Sequence, residues 1–204
     1  TSIAVHNERV FGTVNGVNNQ VWFSDDFDPA NWNVSLTEAG YINFCDDLGQ
    51  ALKVVSFAGY LFVFREYGIM RLTAYGDQSD FVLKKMFTDT GRIYKDTIAL
   101  CGDSIIFLAE DGLYAFNGYD AVKIGKELPQ LFNKNGACAG YLDGEYFLAC
   151  AIKGDNGNAV DSLVRYDVQT KSISLLSNVK INCVCPVKVH NGSCVVFSFD
   201  GDYA

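Results

Sequence analysis

The sequence predicts an all-β protein, a β-propeller built of four-stranded antiparallel blades. A hairpin unit recurs along the chain, and its clearest copy spans residues 104–118, where two short apolar runs flank the turn Glu110-Asp111-Gly112. The turn glycines of successive copies are 52, 44, 45 and 44 residues apart: Gly16, Gly68, Gly112, Gly157 and Gly201. A spacing of about 40 to 50 residues is typical of a four-stranded propeller blade.

The second strand of each unit is almost wholly apolar, which indicates a strand covered on both faces. Each hairpin is preceded by another predicted strand, at residues 54–57, 97–100, 138–142 and 184–189. A more polar fourth strand closes most units, at residues 81–87, 121–124 and 172–176. A β-sandwich or prism is the alternative fold, but a sandwich would not repeat four-strand modules at an even spacing.

The units divide the chain into about 4.5 blade repeats of a single propeller domain or propeller fragment. The predicted blades are residues 1–45, 46–90, 91–135, 136–180 and the incomplete 181–204. Since the chain starts at Thr1 inside a unit and stops within the last unit, we expect it to be part of a longer protein. Residues 125–135 are the one segment that predicts a helical turn, as a linker between blades.

The composition argues against two classes of partner. The formal net charge is −8 and the cations are scattered singly, whereas a general nucleic-acid surface needs clustered Lys and Arg. The chain has no apolar run near the length of about 20 residues that a membrane-spanning helix needs. The seven cysteines form no Cys-x-x-Cys pair and mostly fall in strand patterns, which favours a reduced, cytoplasmic folding environment.

An acidic run after the third strand raises the question of a metal site. Asp25, Asp26 and Asp28 together could bind a calcium ion, but the glycine-centred calcium-loop pattern is missing. The favoured interpretation is a turn that Asp25 or Asp28 caps and in which Trp32 anchors the return strand.

The catalytic motifs are likewise weak. His6 and His190 occupy matching, turn-flanking places in the repeat, which indicates a structural role for both. Most paired acids, including Glu110 with Asp111, lie in the repeated turns, where turn chemistry rather than glycoside cleavage explains them. The sequence therefore predicts no catalytic residue, no cofactor and no metal ligand.

Several motifs together carry a resemblance to a known family. They are Glu8-Arg9-Val10-Phe11-Gly12, Val21-Trp22-Phe23-Ser24-Asp25 with Asp28-Pro29 and Asn31-Trp32, Tyr60-Leu61-Phe62-Val63-Phe64-Arg65 with Gly68-Ile69, and Ile106-Phe107-Leu108 with Asp111-Gly112-Leu113-Tyr114. In these residues the chain resembles propeller-type structural proteins of tailed phages and prophages, such as tail, nozzle or tail-stabilising components. The resemblance covers residues 8–132.

The resemblance implies assembly rather than catalysis. We expect a non-catalytic virion structural protein, assembled in the bacterial cytoplasm, that contacts other tail subunits or forms a homo-oligomeric ring. The expected contact sites are two loops, at residues 25–31 and 153–161. Within them the candidate partner-contact residues are Asp25, Asp26, Asp28, Asn31, Asp155, Asn156 and Asn158.

Two other functions stay open on the sequence: a carbohydrate-binding or glycan-cleaving propeller, and a general bacterial scaffold module. Trp22, Tyr67, Tyr114 and Tyr119 would supply the sugar-stacking surface of the former, although aromatic residues in strands more often pack between blades. Paired carboxylates beside stacked aromatics would favour carbohydrate as the ligand. Loops in subunit contacts would favour assembly.

Overall fold

A computed structural model describes residues 1–88, 91–132, 134–189 and 192–199. The predicted turn residues Asn191, Asp200 and Gly201, together with His190, lie outside these ranges. Within them the protein is all-β, and its strands form separate antiparallel sheets, most of them four-stranded. This confirms the all-β class and the four-stranded antiparallel module.

The first two sheets each follow chain order. The first contains β1 (Ser2–His6), β2 (Arg9–Val14), β3 (Val17–Phe23) and β4 (Gly40–Asn43). The second contains β5 (Ala51–Phe57), β6 (Tyr60–Arg65), β7 (Gly68–Thr73) and β8 (Val82–Phe87).

The remaining sheets follow in the second half of the chain. The third contains β9 (Ala99–Cys101), β10 (Ser104–Ala109), β11 (Gly112–Phe116) and β12 (Ala121–Ile124). The fourth contains β13 (Leu131–Phe132), β14 (Cys138–Leu142), β15 (Glu145–Lys153), β16 (Ala159–Asp167) and β17 (Ile173–Ser177). The fifth is the hairpin of β18 (Ile181–Val189) and β19 (Gly192–Phe199).

Three short 3₁₀ helices lie between strands, at Gln78–Asp80, Lys95–Thr97 and Lys134–Gly136. No helix in the described ranges is long and apolar enough to cross a membrane. The residues group into two compact units, one of residues 1–95 with 118–120 and one of residues 96–117 with 121–204.

In the first unit, β1 packs against β5, and the two sheets share an apolar core. The core residues come from alternate positions of the strands, because successive side chains of a strand point to opposite faces. Except for Tyr60, every residue of β6 is buried, as the apolar second strand predicts. The buried members of the core include Phe11, Phe23, Phe44, Leu61 and Leu72.

A buried arginine, Arg65, lies beside the core of the first unit. Arg65 is 0% exposed, and its guanidinium lies 3.1 Å from the Asp46 carboxylate and 4.3 Å from the centre of the Phe44 ring. Its Nε donates to the carbonyl oxygen of Gly49. Burial lowers the pKa of Arg65 and the Asp46 charge opposes that shift, so the ion pair and the ring compensate for lost hydration.

In the second unit, β14 packs against β9 and β18, which are the first strands of the sheets on either side of it in the sequence. The Tyr146 hydroxyl donates to the carbonyl oxygen of Thr97 at 2.7 Å, and the Thr97 hydroxyl accepts the backbone N–H of Leu108 at 2.9 Å. Burial raises the pKa of Tyr146 well above its usual value. The third and fourth sheets are thus joined by buried hydrogen bonds.

Two local predictions are wrong. Thr97 lies in a 3₁₀ helix, and the strand expected at residues 97–100 begins at Ala99, because the Thr97 side chain and carbonyl are used in the bonds just described. Residues 125–135 contain β13, not only a helical turn. Since β15 is longer than β14, its free edge pairs with Leu131 and Phe132.

Candidate functional site

The two faces of the first sheet differ sharply in their surroundings. On β3, Val21 and Phe23 are buried in the core, whereas Trp22 lies on the opposite face and is partly exposed. The same alternation exposes Tyr41 on β4 while Ile42 packs against the core. The outer face of this sheet is therefore open to solvent at the ends of β3 and β4.

Trp22 and Tyr41 form a cross-strand aromatic pair on this outer face. They are directly opposite each other in the antiparallel register, with ring centres 5.0 Å apart and ring planes tilted by 32°. The Trp22 Nε1–H donates to Gln20 Oε1 at 3.0 Å, which fixes the indole orientation. Tyr41 remains 47% exposed, so the pair offers aromatic surface that the fold itself does not cover.

An amide pair adjoins the aromatic pair. Gln20 lies opposite Asn43, two residues along the strands from Trp22 and Tyr41 and hence on the same face. After its bond to Trp22, Gln20 keeps two N–H donors, and Asn43 keeps a carbonyl acceptor after donating to Cys45 Sγ at 3.4 Å. We call the four residues Gln20, Trp22, Tyr41 and Asn43 the aromatic face.

Residues 24–39, here the β3–β4 loop, leave the sheet next to the aromatic face and are organised by Asp25. One carboxylate oxygen of Asp25 accepts the backbone N–H groups of Asp26 and Glu38, at 2.9 and 3.0 Å. The other accepts Asn31 Nδ2 at 3.2 Å. Asp28 accepts the N–H of Ala30 at 3.2 Å. These carboxylates are thus used as turn acceptors.

Buried Arg9 fixes both ends of the same loop. Its guanidinium donates to the carbonyl oxygens of Ser24 and Glu38, at 3.0 and 2.8 Å. No group of three or more His, Cys, Asp or Glu side chains among the described residues is arranged to hold a metal ion. The loop owes its shape to protein hydrogen bonds.

The β3–β4 loop displays apolar side chains to solvent. Phe27 is 78% and Leu36 is 82% exposed, and Trp32 and Val34 are also exposed. Phe27 has a φ of 54°, a left-handed conformation that is unfavourable for a bulky residue. The expectation that Trp32 anchors the return strand is wrong, because β4 begins only at Gly40 and the Trp32 indole N–H donates within the loop to the carbonyl oxygen of Pro29.

The other expected contact residues lie in the second unit. Asp155, Asn156 and Asn158 are exposed in the turn between β15 and β16. This turn is tighter than the expected loop at residues 153–161, because Gly154 donates its N–H to the carbonyl oxygen of Asn158 at 2.9 Å and the strands continue up to it. The two predicted sets of residues therefore lie in different units, and a contact role for either remains a prediction.

The other aromatic residues proposed for sugar stacking are not alike. Tyr114 is buried, stacks on Phe107 and donates its hydroxyl to Asp111, so it belongs to the packing of the third sheet. Tyr67 and Tyr119 are exposed but lie in turns. Sequence reasoning missed Tyr41, whose pairing with Trp22 depends on a register that the long intervening loop conceals.

A histidine and a serine also meet in the first unit. His6 Nδ1 lies 2.9 Å from Ser56 Oγ and so joins β1 to β5, but His6 is only 4% exposed and its Nε2 has no hydrogen-bond partner. Burial lowers the pKa of His6, and the nearby Glu8 charge partly offsets this. Because no carboxylate orients the His6 ring at Nε2, the His6–Ser56 contact is a hydrogen bond that links two sheets. It does not make Ser56 an activated nucleophile.

Neither a family model nor a curated protein matches the chain. Among solved structures, the chain is similar to an α-L-arabinofuranosidase from Lactobacillus brevis, at 11% identity and a TM-score of 0.43, with 99% of this chain and 85% of that chain covered. It is also similar to an α-L-arabinofuranosidase from Podospora anserina in complex with cellotriose, at 16% identity and a TM-score of 0.38, with 99% and 72% covered. At these values the likeness assigns no role to any residue.

The comparison corrects the functional prediction made from the sequence. The prediction of a non-catalytic virion structural protein is wrong, since the similar structures just described are α-L-arabinofuranosidases and neither is a phage component. The expected tail partners and virion location are tested by none of these structures and stay predictions.

Proposed function

We propose that the protein binds carbohydrate on the aromatic face of its first sheet. The observation that carries the proposal is the Trp22–Tyr41 pair, with Tyr41 exposed and Trp22 partly exposed, directly beside the Gln20–Asn43 amide pair. Two aromatic rings and two amides on one side of a sheet match the two kinds of surface that a sugar ring presents.

The chemistry of a sugar explains this match. The C–H groups of a pyranose or furanose ring form apolar patches that pack on an aromatic ring, while its hydroxyls need hydrogen-bond donors and acceptors. Gln20 offers donors and Asn43 an acceptor within the same face. Neutral amides suit a neutral polyhydroxyl ligand, since no buried charge has to be compensated on binding.

The β3–β4 loop supports the proposal by adding a second indole. Trp32 is exposed, and its N–H bond to the Pro29 carbonyl oxygen and the Asp25 network connect the loop internally. Such pre-organisation lowers the entropy cost of binding. We infer that an extended glycan on the Trp22–Tyr41 pair also reaches this loop.

We further propose that the sheets are blades of a β-propeller. The even repeat supports this, as does the packing of β1 with β5 in the first unit and of β14 with β9 and β18 in the second. Five separate sheets also favour a propeller over a sandwich of two sheets.

Binding to a glycan array, followed by calorimetry with the best ligand, tests the proposed function. Trp22→Ala and Tyr41→Ala should each weaken binding by about tenfold or more, the loss expected for an aromatic contact worth at least 1.4 kcal/mol. Tyr75→Ala is the matched control, because Tyr75 is an exposed tyrosine of the same unit outside the aromatic face. Equal affinity of all three variants, or no glycan bound at all, would contradict the proposal.

Incubation of the protein with the best glycan from the array distinguishes binding from cleavage. The four side chains of the aromatic face include no carboxylate, whereas glycoside hydrolysis ordinarily uses two. We therefore expect the bound glycan to be recovered intact when its reducing ends are measured. New reducing ends that disappear in a Trp22→Ala variant would instead make this face part of a hydrolytic site.

A further inference from the structure

A groove of about 490 Å³ lies within the second unit, between the third and fourth sheets. One wall is a single face of the third sheet, since Ile106, Ala115 and Val122 are cross-strand neighbours on β10, β11 and β12. The other wall comes from the end of β16 and the turn after it, with Tyr166, Val168 and Lys171. The volume lies in the range of about 300 to 1,000 Å³ that small-ligand sites occupy.

The inner part of the groove is apolar. Ile106 and Tyr166 are buried at its base, Ile124 and Val168 are half-buried, and Val122 is 60% exposed although it is an aliphatic strand residue. An exposed valine facing a concave apolar surface leaves area that a ligand's hydrocarbon part can cover. The groove therefore favours a ligand with an apolar body.

Charged groups of both signs surround the groove. Lys126 and Lys171 supply ammonium groups, while Asp103 and Glu127 supply carboxylates. None of these four side chains forms an ion pair within 4.0 Å in the described part of the chain, in contrast to Lys123, which pairs with Asp111 at 3.2 Å. Two unpaired cations and two unpaired anions complement a ligand that carries one charge of each sign.

Glu127 and the buried Tyr166 both line the groove. Burial is the larger cause that raises the pKa of Tyr166, and the Glu127 carboxylate adds to the shift. Because Glu127 follows β12 and Tyr166 belongs to β16, the groove brings a carboxylate from one wall near the apolar base of the other. A ligand in the groove can then contact apolar and charged groups at once.

We propose that this groove is a second binding site, for a small apolar zwitterion of the dipeptide class. The ligand's hydrocarbon side chains would cover Val122 and Ile106, its carboxylate would lie near Lys126 or Lys171, and its ammonium group near Asp103 or Glu127. The proposal does not depend on the carbohydrate binding that we propose for the first unit.

A calorimetric titration of the full chain with leucyl-leucine tests the proposed site. N-acetyl-leucyl-leucine amide is the matched ligand control, because it keeps both hydrocarbon side chains and lacks both charges. We expect saturable binding of the free dipeptide and about tenfold weaker binding of the blocked one, since bonds to charged groups are the stronger ones. No saturable binding, or equal binding of the two ligands, would overturn the proposal.

Variants locate the binding in the groove. Lys171→Gln should weaken leucyl-leucine binding by about tenfold, the loss of one charge-assisted contact, and Val122→Asp should abolish it by placing a carboxylate on the apolar wall. Lys188→Gln is the matched control, an exposed lysine of the same unit outside the groove. Both groove residues are exposed, so folding should persist, and circular dichroism checks this. Binding that all three folded variants retain would place the ligand elsewhere and refute the assignment.

Discussion

The two faces of the first sheet are built from the same strands but show opposite chemistry. Phe11, Val21 and Phe23 on the inner face are at most 2% exposed, whereas on the outer face Trp22 is only partly buried and Tyr41 is 47% exposed. The inner face explains why the sheet is stable. The outer face carries the half-exposed Tyr41 beside Trp22. We expect stability to depend less on these two residues, and this difference is the basis for assigning the outer face a function.

The largest effect expected from this comparison is on stability. Phe11→Ala removes a fully buried ring from the core and should lower the free energy of unfolding by about 3 to 5 kcal/mol. Tyr41→Ala, on the outer face, removes the contact with Trp22. Apart from that contact, it should lower the free energy of unfolding by less than about 1 kcal/mol. Urea denaturation of both variants measures the difference. Similar losses for the two would show that the outer face is also a structural surface.

A smaller effect on stability is expected in the β3–β4 loop. Asp25→Ala removes the partly buried carboxylate that accepts three hydrogen bonds within the loop. Because the three donors lose their partner, the free energy of unfolding should fall by about 1 to 3 kcal/mol. Asp26→Ala is the matched control and should change stability by less than about 0.5 kcal/mol. The same urea experiment distinguishes them, and a loss from Asp26→Ala as large as that from Asp25→Ala would contradict this account of the loop.

The smallest expected effect is a pH dependence of the stability, which arises from the buried His6. Because burial lowers the pKa of His6 from its ordinary 6.5, the unfolded chain binds that proton more readily than the folded one. The stability from neutral His6 is thus complete above pH 6.5 and is lost as the pH falls below it. Glu8 reduces the effect without reversing it.

Unfolding measured between pH 8 and pH 5 in about 0.15 M salt tests this dependence. Carboxylates contribute a background slope, so His6→Gln is compared with the wild type. The chain contains one other histidine, His190, and His190→Gln is the matched control. We expect the slope near pH 6 to decrease in His6→Gln and to persist in His190→Gln. An unchanged slope in His6→Gln would show that His6 is protonated equally easily in both states.

The sheets could be predicted from the sequence because apolar runs and turn glycines are local signals. Strands such as Cys138–Leu142 and Ala121–Ile124 have the predicted bounds. Irregular details depend on distant contacts instead. Leu131 and Phe132 form a strand only because β15 offers a free edge, and Thr97 leaves its strand because Leu108 and Tyr146 bond to it.

The candidate site was less predictable for a related reason. Trp22 was recognisable as a possible stacking residue, but Tyr41 is separated from it by the whole β3–β4 loop, and only the observed register places the two rings together. The sequence also drew attention to Asp25 and Asp28 as contact residues. In the structure both accept hydrogen bonds within the loop, while the exposed surface there is formed by Phe27 and Leu36.

The most direct measurement of the central claim uses the indole N–H signals. The chain contains two tryptophans, Trp22 and Trp32, so a ¹⁵N–¹H spectrum has two indole peaks, which a Trp32→Phe variant assigns. During titration with the best glycan from the array, the Trp22 peak should shift progressively and saturate with the calorimetric affinity. Leucyl-leucine, proposed to bind in the second unit, should leave it in place. A saturating glycan that moves neither indole peak would contradict binding on the aromatic face.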